Sequence, residues 1–442
     1  VVSRILGIDL GTTFLKGAVL DTERAEPVHV RRTPVPAPVV NLPPTRYEID
    51  PGSLLAAVRS LLGELLQFAP DASRLLLCSQ MHCLVLLDPQ LRPCSNIITW
   101  KDRRGLEPSP HGHGTLFDEL EALVSPREQR RLGGEMRIGV PISTMHALER
   151  TGELPGVVWP VSLPDFVLSA LCRVEPTTDA TNASAYGLYD VTRRDWHRDL
   201  IARLGLDRLR WPRIRPFGEV VGMAEVDGHT LACHTPVGDQ QCALAGVGLR
   251  EGELSLNIST GSQVSLISRD LPEGEFQVRP YFGDRWLRTV VSVPAGRSLG
   301  VLVDLLTELP QSSSTQAASA WDYIRERTDL EDDSDLEVDL SFFPSYTGDR
   351  GGITNIREDN LTVGKLFVAA FRNMARNYAR CAAAISGEGD WNEVVFSGGI
   401  SQKFRRLRTE ILRELGNPPS RLCAIEEDTL AGLLVLAKSL VH

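Results

Sequence analysis

Two kinds of segment alternate along the chain: short apolar runs that end in acidic or glycine-rich turns, and longer stretches in which apolar residues return every three or four positions. Ile5 to Asp9 is an apolar run ending in an acid, and after Gly11-Thr12-Thr13 a second run extends from Lys16 to Asp21. That pattern predicts a strand, a tight turn and an antiparallel strand. Pro34 to Pro44 is too proline-rich for a helix or a central strand and is expected to be a surface excursion. From Pro51 to Gln67, Leu54, Leu55, Val58, Leu61, Leu62 and Leu65 fall on one helical face. Arg74 to Cys78 and Cys83 to Leu87 are strand-like again, which places His82 near the turn between them.

The segment Trp211 to Gly222, interrupted by Pro212, Pro216 and Gly218, reads as the approach to a domain boundary. Beyond it the order of elements echoes the first half. GDQQCALAGVG opens a helix, Leu254 to Ile258 and Gln263 to Ile267 are strands flanking Ser259-Thr260-Gly261-Ser262, and Leu361 to Ile385 is a long amphipathic helix. The expected division is residues 1–243 and 244–442. Gln311 to Thr315 and Leu330 to Leu336 are expected to be solvated connections.

With 442 residues, 42% hydrophobic and 24% charged, the chain has the material for two globular domains. Its formal charge of -10 offers nothing to a long polyanion, so no nucleic acid is expected as a partner. No apolar run approaches the roughly 18 to 20 residues that span a bilayer, and VVSRILGIDLGTT turns polar too early for a signal peptide, so a cytoplasmic protein without a membrane partner is expected. The eight cysteines contain no C-x-x-C pair and read as reduced packing residues. His111 and His113 lack a neighbouring ligand set and are expected in an exposed loop.

The chemistry begins at Asp9. A strand ending in that carboxylate and passing through Gly11, Thr12 and Thr13 into a second strand offers backbone N–H groups and two hydroxyls to a phosphate, beside an acid suited to Mg2+ through water. Lys16 adds a positive charge. Thr260-Gly261-Ser262 repeats the arrangement in the second half, and two such turns facing one another would clamp a nucleotide. Asp239 has two readings from its surroundings: an N-cap, because Gly-Asp precedes an apolar stretch, or a functional carboxylate.

These motifs together carry a resemblance. ILGIDLGTTFLKGAVLD, SQMHCLVLLD, IITWKDRRG, VGDQQCALAG, LNISTGSQVSL and VVFSGGIS stand in the order found in the FGGY carbohydrate kinases, within the actin, hexokinase and Hsp70 fold superfamily. Inside that family, SQMH with W-x-D-x-R, TTDATNASAYGLYD, NISTGSQVS and FFPSYTGDRGG is most similar to sedoheptulokinases, whereas GDQQCAL alone is closer to glycerol kinases.

The resemblance implies an α/β protein of two RNase-H-like domains flanking a nucleotide and sugar cleft, with ATP held mainly by the second domain and the sugar or polyol by the first. It implies Asp239 as catalytic base, with Asp9 and Asp239 as the carboxylates toward Mg2+. Phosphoryl transfer to a hydroxyl does need a carboxylate near the nucleophilic oxygen, and cation and N–H groups around the phosphate. Met81, His82, Trp100, Asp102 and Gln240 match the family's substrate-facing positions, and Arg104 either joins them or orients Asp102. Gly398 and Gly399 match a turn that approaches the adenosine, with Gln402 as a polar contact and Gly296 lining the same cleft. Asn182 is either a turn residue or a brace behind the sugar site. The implied activity is ATP-dependent phosphorylation of a ketose, sedoheptulose first, with xylulose, ribulose and glycerol as alternatives. A catalytically silent nucleotide- or sugar-binding sensor is the alternative of another class.

Three departures from the family pattern bear on ATP affinity: Phe14 in place of a small polar residue, Ala295-Gly296-Arg297 in place of a more glycine-rich turn, and a short SGGIS segment. The chain is also shorter than many relatives, so its assembly is not inherited and a homodimer stays open.

Overall fold

In the computed structural model, residues 4–110, 112, 114–308, 317–387 and 389–440 are described. His111, His113 and the stretch from Gln311 to Thr315 therefore lie outside the described residues. The chain divides into two compact units. The first comprises Val1–Gly248, Val278–Trp286 and Glu427–His442, and the second Leu249–Gln277 and Leu287–Glu426. The linear pattern put everything after residue 243 in one domain, but two later segments return to the first unit. They do so because each carries apolar or charged groups whose partners are there.

The first unit is built on a seven-stranded sheet. Its strands are β1 (Ile5–Leu10), β2 (Phe14–Asp21), β3 (Glu26–Pro34), β4 (Arg74–Ser79), β5 (Val220–Val226), β6 (His229–His234) and β7 (Val237–Gly238). They run in the order β5, β6, β4, β1, β2, β3, with β7 also pairing β4. β1 and β2 form the expected antiparallel hairpin, with Asp9 opposite Lys16. Helix α1 (Pro51–Phe68) begins at Asp50, whose side chain accepts from Ser53 N, and Pro51 sits in its first turn, where a missing N–H costs nothing. Leu54, Val58, Leu61, Leu62 and Leu65 are buried with Leu6, Ile8, Leu75 and Leu77 of the sheet. Gly17 makes that approach close, since a Cβ there would meet Leu65 Cδ1 at 2.8 Å.

On the other face, Leu430, Leu433 and Leu434 of the C-terminal helix (Asp428–Ser439) pack with Ile5, Ala18, Leu20 and Leu76. This helix also lies against helix α2 (Asp239–Gly246), backbone nearly on backbone. A Cβ on Gly432 would stand 1.9 Å from Cys242 O, and one on Gly246 would stand 2.0 Å from Asp428 O. Only glycine admits that contact, which brings the C-terminal helix against the second half of α2.

The second unit has its own sheet and core. Strands β8 (Glu253–Ile258), β9 (Ser262–Ser268), β10 (Arg285–Val293), β11 (Glu393–Ser397) and β12 (Ser420–Leu422) run in the order β10, β9, β8, β11, β12. The long amphipathic helix covers Val363–Ile385 and buries Phe367, Phe371, Met374 and Tyr378 against Leu256, Val264 and Phe396. Both units thus repeat an antiparallel hairpin joined to a parallel strand: β1 pairs β4 in the first and β8 pairs β11 in the second.

Candidate functional site

The first unit gathers its polar residues where β1, β4 and β7 end. Asp9 lies near the end of β1, opposite Lys16, and is almost fully buried. Its Oδ2 accepts from Thr429 Oγ1 at 2.8 Å, while Oδ1 is buried without a hydrogen-bond partner. Burial raises its pKa, with Lys16 opposing. An orphaned carboxylate oxygen beside a glycine turn fits a cation-bound water. Among the described residues no group of three or more His, Cys, Asp or Glu side chains could hold a metal ion. Any Mg2+ here would take most of its ligands from water and phosphate, as that ion commonly does.

The turn Gly11-Thr12-Thr13 is braced by Gln80, whose role the sequence reading missed. Its amide donates to Gly11 O at 3.1 Å and accepts from Thr12 Oγ1 at 3.0 Å, and its backbone N–H donates to Leu10 O. Thr12 also accepts from Trp100 Nε1 at 3.3 Å, so an indole that is 44% exposed stands beside the turn. Lys16 has two carboxylate neighbours. Its ammonium is 2.8 Å from Glu427 and 3.6 Å from Asp9, and these two carboxylates occupy its charge.

Asp239 is the first residue of α2 and follows β7 directly; Gly238, not Asp239, is the N-cap. Behind it Asn182 acts as a brace, donating to Pro236 O at 2.9 Å and to Asp179 at 3.2 Å. Thr181 Oγ1 receives the Gly238 N–H at 2.8 Å. Burial, then repulsion from Asp9, pushes the Asp239 carboxyl up to about 7, while its Oδ1 accepts from Gln240 N. A carboxyl near neutrality can take a proton from a hydroxyl and release it again.

Of the expected sugar contacts, Met81, His82 and Gln240 come together around an ion-paired cluster far along the chain. Glu135 is fully buried and accepts from Arg279 Nε at 2.5 Å and from an Arg137 Nη at 3.0 Å. Arg279 Nη1 donates to Gln240 Oε1 and lies 3.7 Å from Met81 Sδ. His82 adopts a left-handed backbone, φ 66°, which aims its ring at this cluster. Its Nδ1 is 2.9 Å from Ala185 O and its Nε2 is 3.0 Å from an Arg137 Nη. With Nδ1–H donating to a carbonyl and Nε2 accepting from a guanidinium, the ring is neutral and both nitrogens are in use. Burial and Arg137 push its pKa down to about 3.

Asp102 has protein partners on both of its oxygens. Its Oδ1 accepts from Arg104 N and Nε, and its Oδ2 from Tyr47 N and an Arg104 Nη, at 2.8 to 3.0 Å. Arg104 in turn donates to Glu48 at 2.5 Å. Asp102 and Arg104 are thus a buried pair that fixes the turn carrying Trp100. Gly139, φ 83°, backs the same turn, where a Cβ would stand 2.3 Å from Trp100 O.

The second unit brings its candidates together within itself. Thr260 and Gly261 are exposed at the tip between β8 and β9. Ser262 faces inward instead, donating to Asn257 O at 2.6 Å and paired with the Tyr378 hydroxyl at 2.7 Å, so it supports the turn from below. Gly296 opens helix α3 (Gly296–Glu308) and donates to Ser259 O at 3.1 Å. Gly398, φ 88°, lies just after β11, where a Cβ would meet Ile258 O at 2.5 Å. Gly399 begins helix α4 (Gly399–Lys403), where Gln402 donates to Cys423 O at 3.3 Å. Three backbone segments therefore meet at glycines.

Residues 4–111 match the FGGY family of carbohydrate kinases, N-terminal domain. The Streptomyces coelicolor xylulose kinase is 27% identical over 275 residues, which cover 61% of this chain and 55% of that protein. The chain thus matches about half the length of that relative. Human sedoheptulokinase is 24% identical over 488 positions covering 98% of both chains. The structure of gluconate kinase from Lactobacillus acidophilus superposes with a TM-score of 0.83 at 16% identity, covering 99% of this chain and 89% of that one. That likeness shows a shared α/β fold.

Proposed function

We propose that this chain, which belongs to the FGGY family of carbohydrate kinases, transfers the γ-phosphate of ATP to a terminal hydroxyl of a ketose, with sedoheptulose as the first candidate. The observation that carries the reading is Asp239, the first residue of helix α2, whose Oδ1 accepts from Gln240 N and whose carboxyl is pushed up to about 7 by burial and by Asp9. The full-length match to human sedoheptulokinase supports the seven-carbon ketose. The match to xylulose kinase keeps the five-carbon ketose as the alternative.

In this reading Asp239 accepts the proton of the attacking hydroxyl and leaves an oxygen able to reach phosphorus in line. Asp9 would hold Mg2+ through water, and that ion would neutralise charge on the phosphates. The Gly11-Thr12-Thr13 turn offers N–H and hydroxyl groups to the transferred phosphate. The second unit's Thr260-Gly261 tip, Gly296 and Gly398-Gly399 are the proposed nucleotide contacts, because glycines admit close approach of a ligand to backbone. Met81, Trp100 and Gln240 are the proposed sugar contacts, with His82, Asp102 and Arg104 as their supports.

The test is release of ADP from Mg-ATP against a panel of sedoheptulose, xylulose, ribulose, pentitols and glycerol. Turnover with one ketose is the expected result. Binding of nucleotide without turnover on any member would replace the kinase with a sensor.

A further inference from the structure

The turn that departs from the family pattern, Ala295-Gly296-Arg297, lies in the second unit against the Thr260-Gly261 tip. Gly296 N donates to Ser259 O at 3.1 Å and Arg297 N to Thr260 O at 2.9 Å, so backbone bonds join the two stretches. Ser298 ties in a third, its Oγ donating to Leu340 O at 2.7 Å. Just beyond Leu340, Phe343 meets the turn: the Arg297 guanidinium carbon stands over its ring, 4.4 Å from the centre.

Stacking engages the face of a guanidinium and leaves its N–H groups, which point outward in the plane, to other partners. Arg297 is exposed, and among the described residues its guanidinium has no hydrogen bond and no carboxylate at ion-pair distance. Thr260 Oγ1, on the tip, likewise has no hydrogen-bond partner among them. Exposure by itself would mean little, because a surface arginine is ordinarily solvated. Here the residue is fixed at both ends, through its backbone to the tip and through its side chain to a ring, while its donors stay open.

A planar fork of open donors matches the oxygens of a phosphate, and a side chain already held in place loses less freedom when it binds. We propose that Arg297 is a further binding residue of the nucleotide site, donating to a phosphate oxygen of ADP or ATP, with Phe343 as the positioning residue that holds its guanidinium beside the Thr260-Gly261 tip. This rests on the nucleotide contacts of the kinase reading and deepens them. The turn's departure from the family pattern then supplies a charged contact to phosphate.

Calorimetry with ADP and ATP, and adenosine measured as a competitor of ADP, tests the inference; ADP release with the sugar panel tests the kinase reading separately. Arg297→Met keeps the bulk of the side chain and removes the charge. It should weaken ADP and ATP about tenfold and leave adenosine nearly unchanged, with the difference narrowing as salt is raised. Phe343→Leu should lose a smaller part, about twofold to fivefold, again only for the phosphorylated ligands. Arg297→Lys, which keeps the charge without the fork, should recover part of the loss. Equal weakening of adenosine and ADP by Arg297→Met would make the arginine a prop for the tip and overturn the proposal. So would unchanged ADP affinity in that variant, and so would a wild type that binds adenosine as tightly as ADP, a result that needs no variant to fold. Nucleotide binding that Arg297→Met weakens, without turnover on any sugar, would sink the kinase and spare the inference. Wild-type turnover together with full ADP affinity in the variant would do the reverse, and a wild type that binds no nucleotide would remove both.

Discussion

The hydroxyl of Thr429 donates to Oδ2 of Asp9 at 2.8 Å, joining residues 420 positions apart within one unit. The C-terminal helix thereby completes the environment of a carboxylate that the first strand delivers. Since Oδ1 has no hydrogen-bond partner and Lys16 is 3.6 Å away, Thr429 supplies the main direct bond to this buried acid. Thr429→Val keeps the shape and removes that bond. It should cost about 1–3 kcal/mol in denaturant unfolding and raise the Mg2+ concentration needed for half-maximal ADP release. An unchanged midpoint and metal requirement would show that Asp9 does not depend on it.

Asp239→Asn should abolish ADP release while nucleotide binding persists. It should also stabilise the protein. A carboxyl whose folded pKa is about 7 against an ordinary 3.8 binds its proton more tightly in the folded state. Stability therefore falls as pH rises from about 4 to 7 and stays lowered above that. The neutral amide escapes this penalty, a gain on the order of 1–2 kcal/mol after allowance for partial exposure, readable in thermal melts at pH 8. Robust turnover by the variant would remove Asp239 from the role of base.

Glu135 behaves in the opposite sense. Its carboxyl is buried, yet Arg279 and Arg137 hold its pKa down to about 2. A depressed carboxylate contributes stability that is complete above an ordinary value of 4.5 and is lost as pH falls toward 2. Glu135→Gln should lose about 3–5 kcal/mol at neutral pH, because it leaves Arg279 buried without its anion. Its stability should also change less between pH 4.5 and 2 than that of the wild type. Equal acid sensitivity of the two proteins would contradict the pairing.

Gly398→Ala tests the second unit. The backbone there has φ 88°, and an added Cβ would press on Ile258 O at 2.5 Å and Ser259 Oγ at 2.5 Å. The strain should cost on the order of 1–3 kcal/mol and weaken ATP binding in a calorimetric titration. Gly399→Ala is the control, since a Cβ there meets nothing within 4 Å. It should be nearly neutral for stability, and loss in both variants alike would separate the binding defect from the strain at Gly398.

Local pattern made part of this protein legible. The hairpin through Gly11-Thr12-Thr13, the helix after Asp50, the matching hairpin around Thr260-Gly261 and the long helix ending at Ile385 all follow from periodicity and turn chemistry, which act over a few residues. So does the placing of Asp239 at the start of a helix. What each polar side chain does once there was settled by partners distant in sequence. Asp102 and Arg104 carried the chemistry of a sugar contact but satisfy each other and Glu48, and Ser262 turns inward to Tyr378. Lys16 carried the charge of a phosphate ligand but meets Glu427 from the far end of the chain. Glu135, Arg137 and Arg279 gave no local signal, because an ion pair spanning 144 positions leaves no trace in spacing. Sequence alone determined the strands, turns and helices that carry the carboxylates, since those depend on neighbouring residues. Only the tertiary structure decided which donors and acceptors remain open to a ligand, because a buried polar group must find its partner in space, wherever along the chain that partner lies.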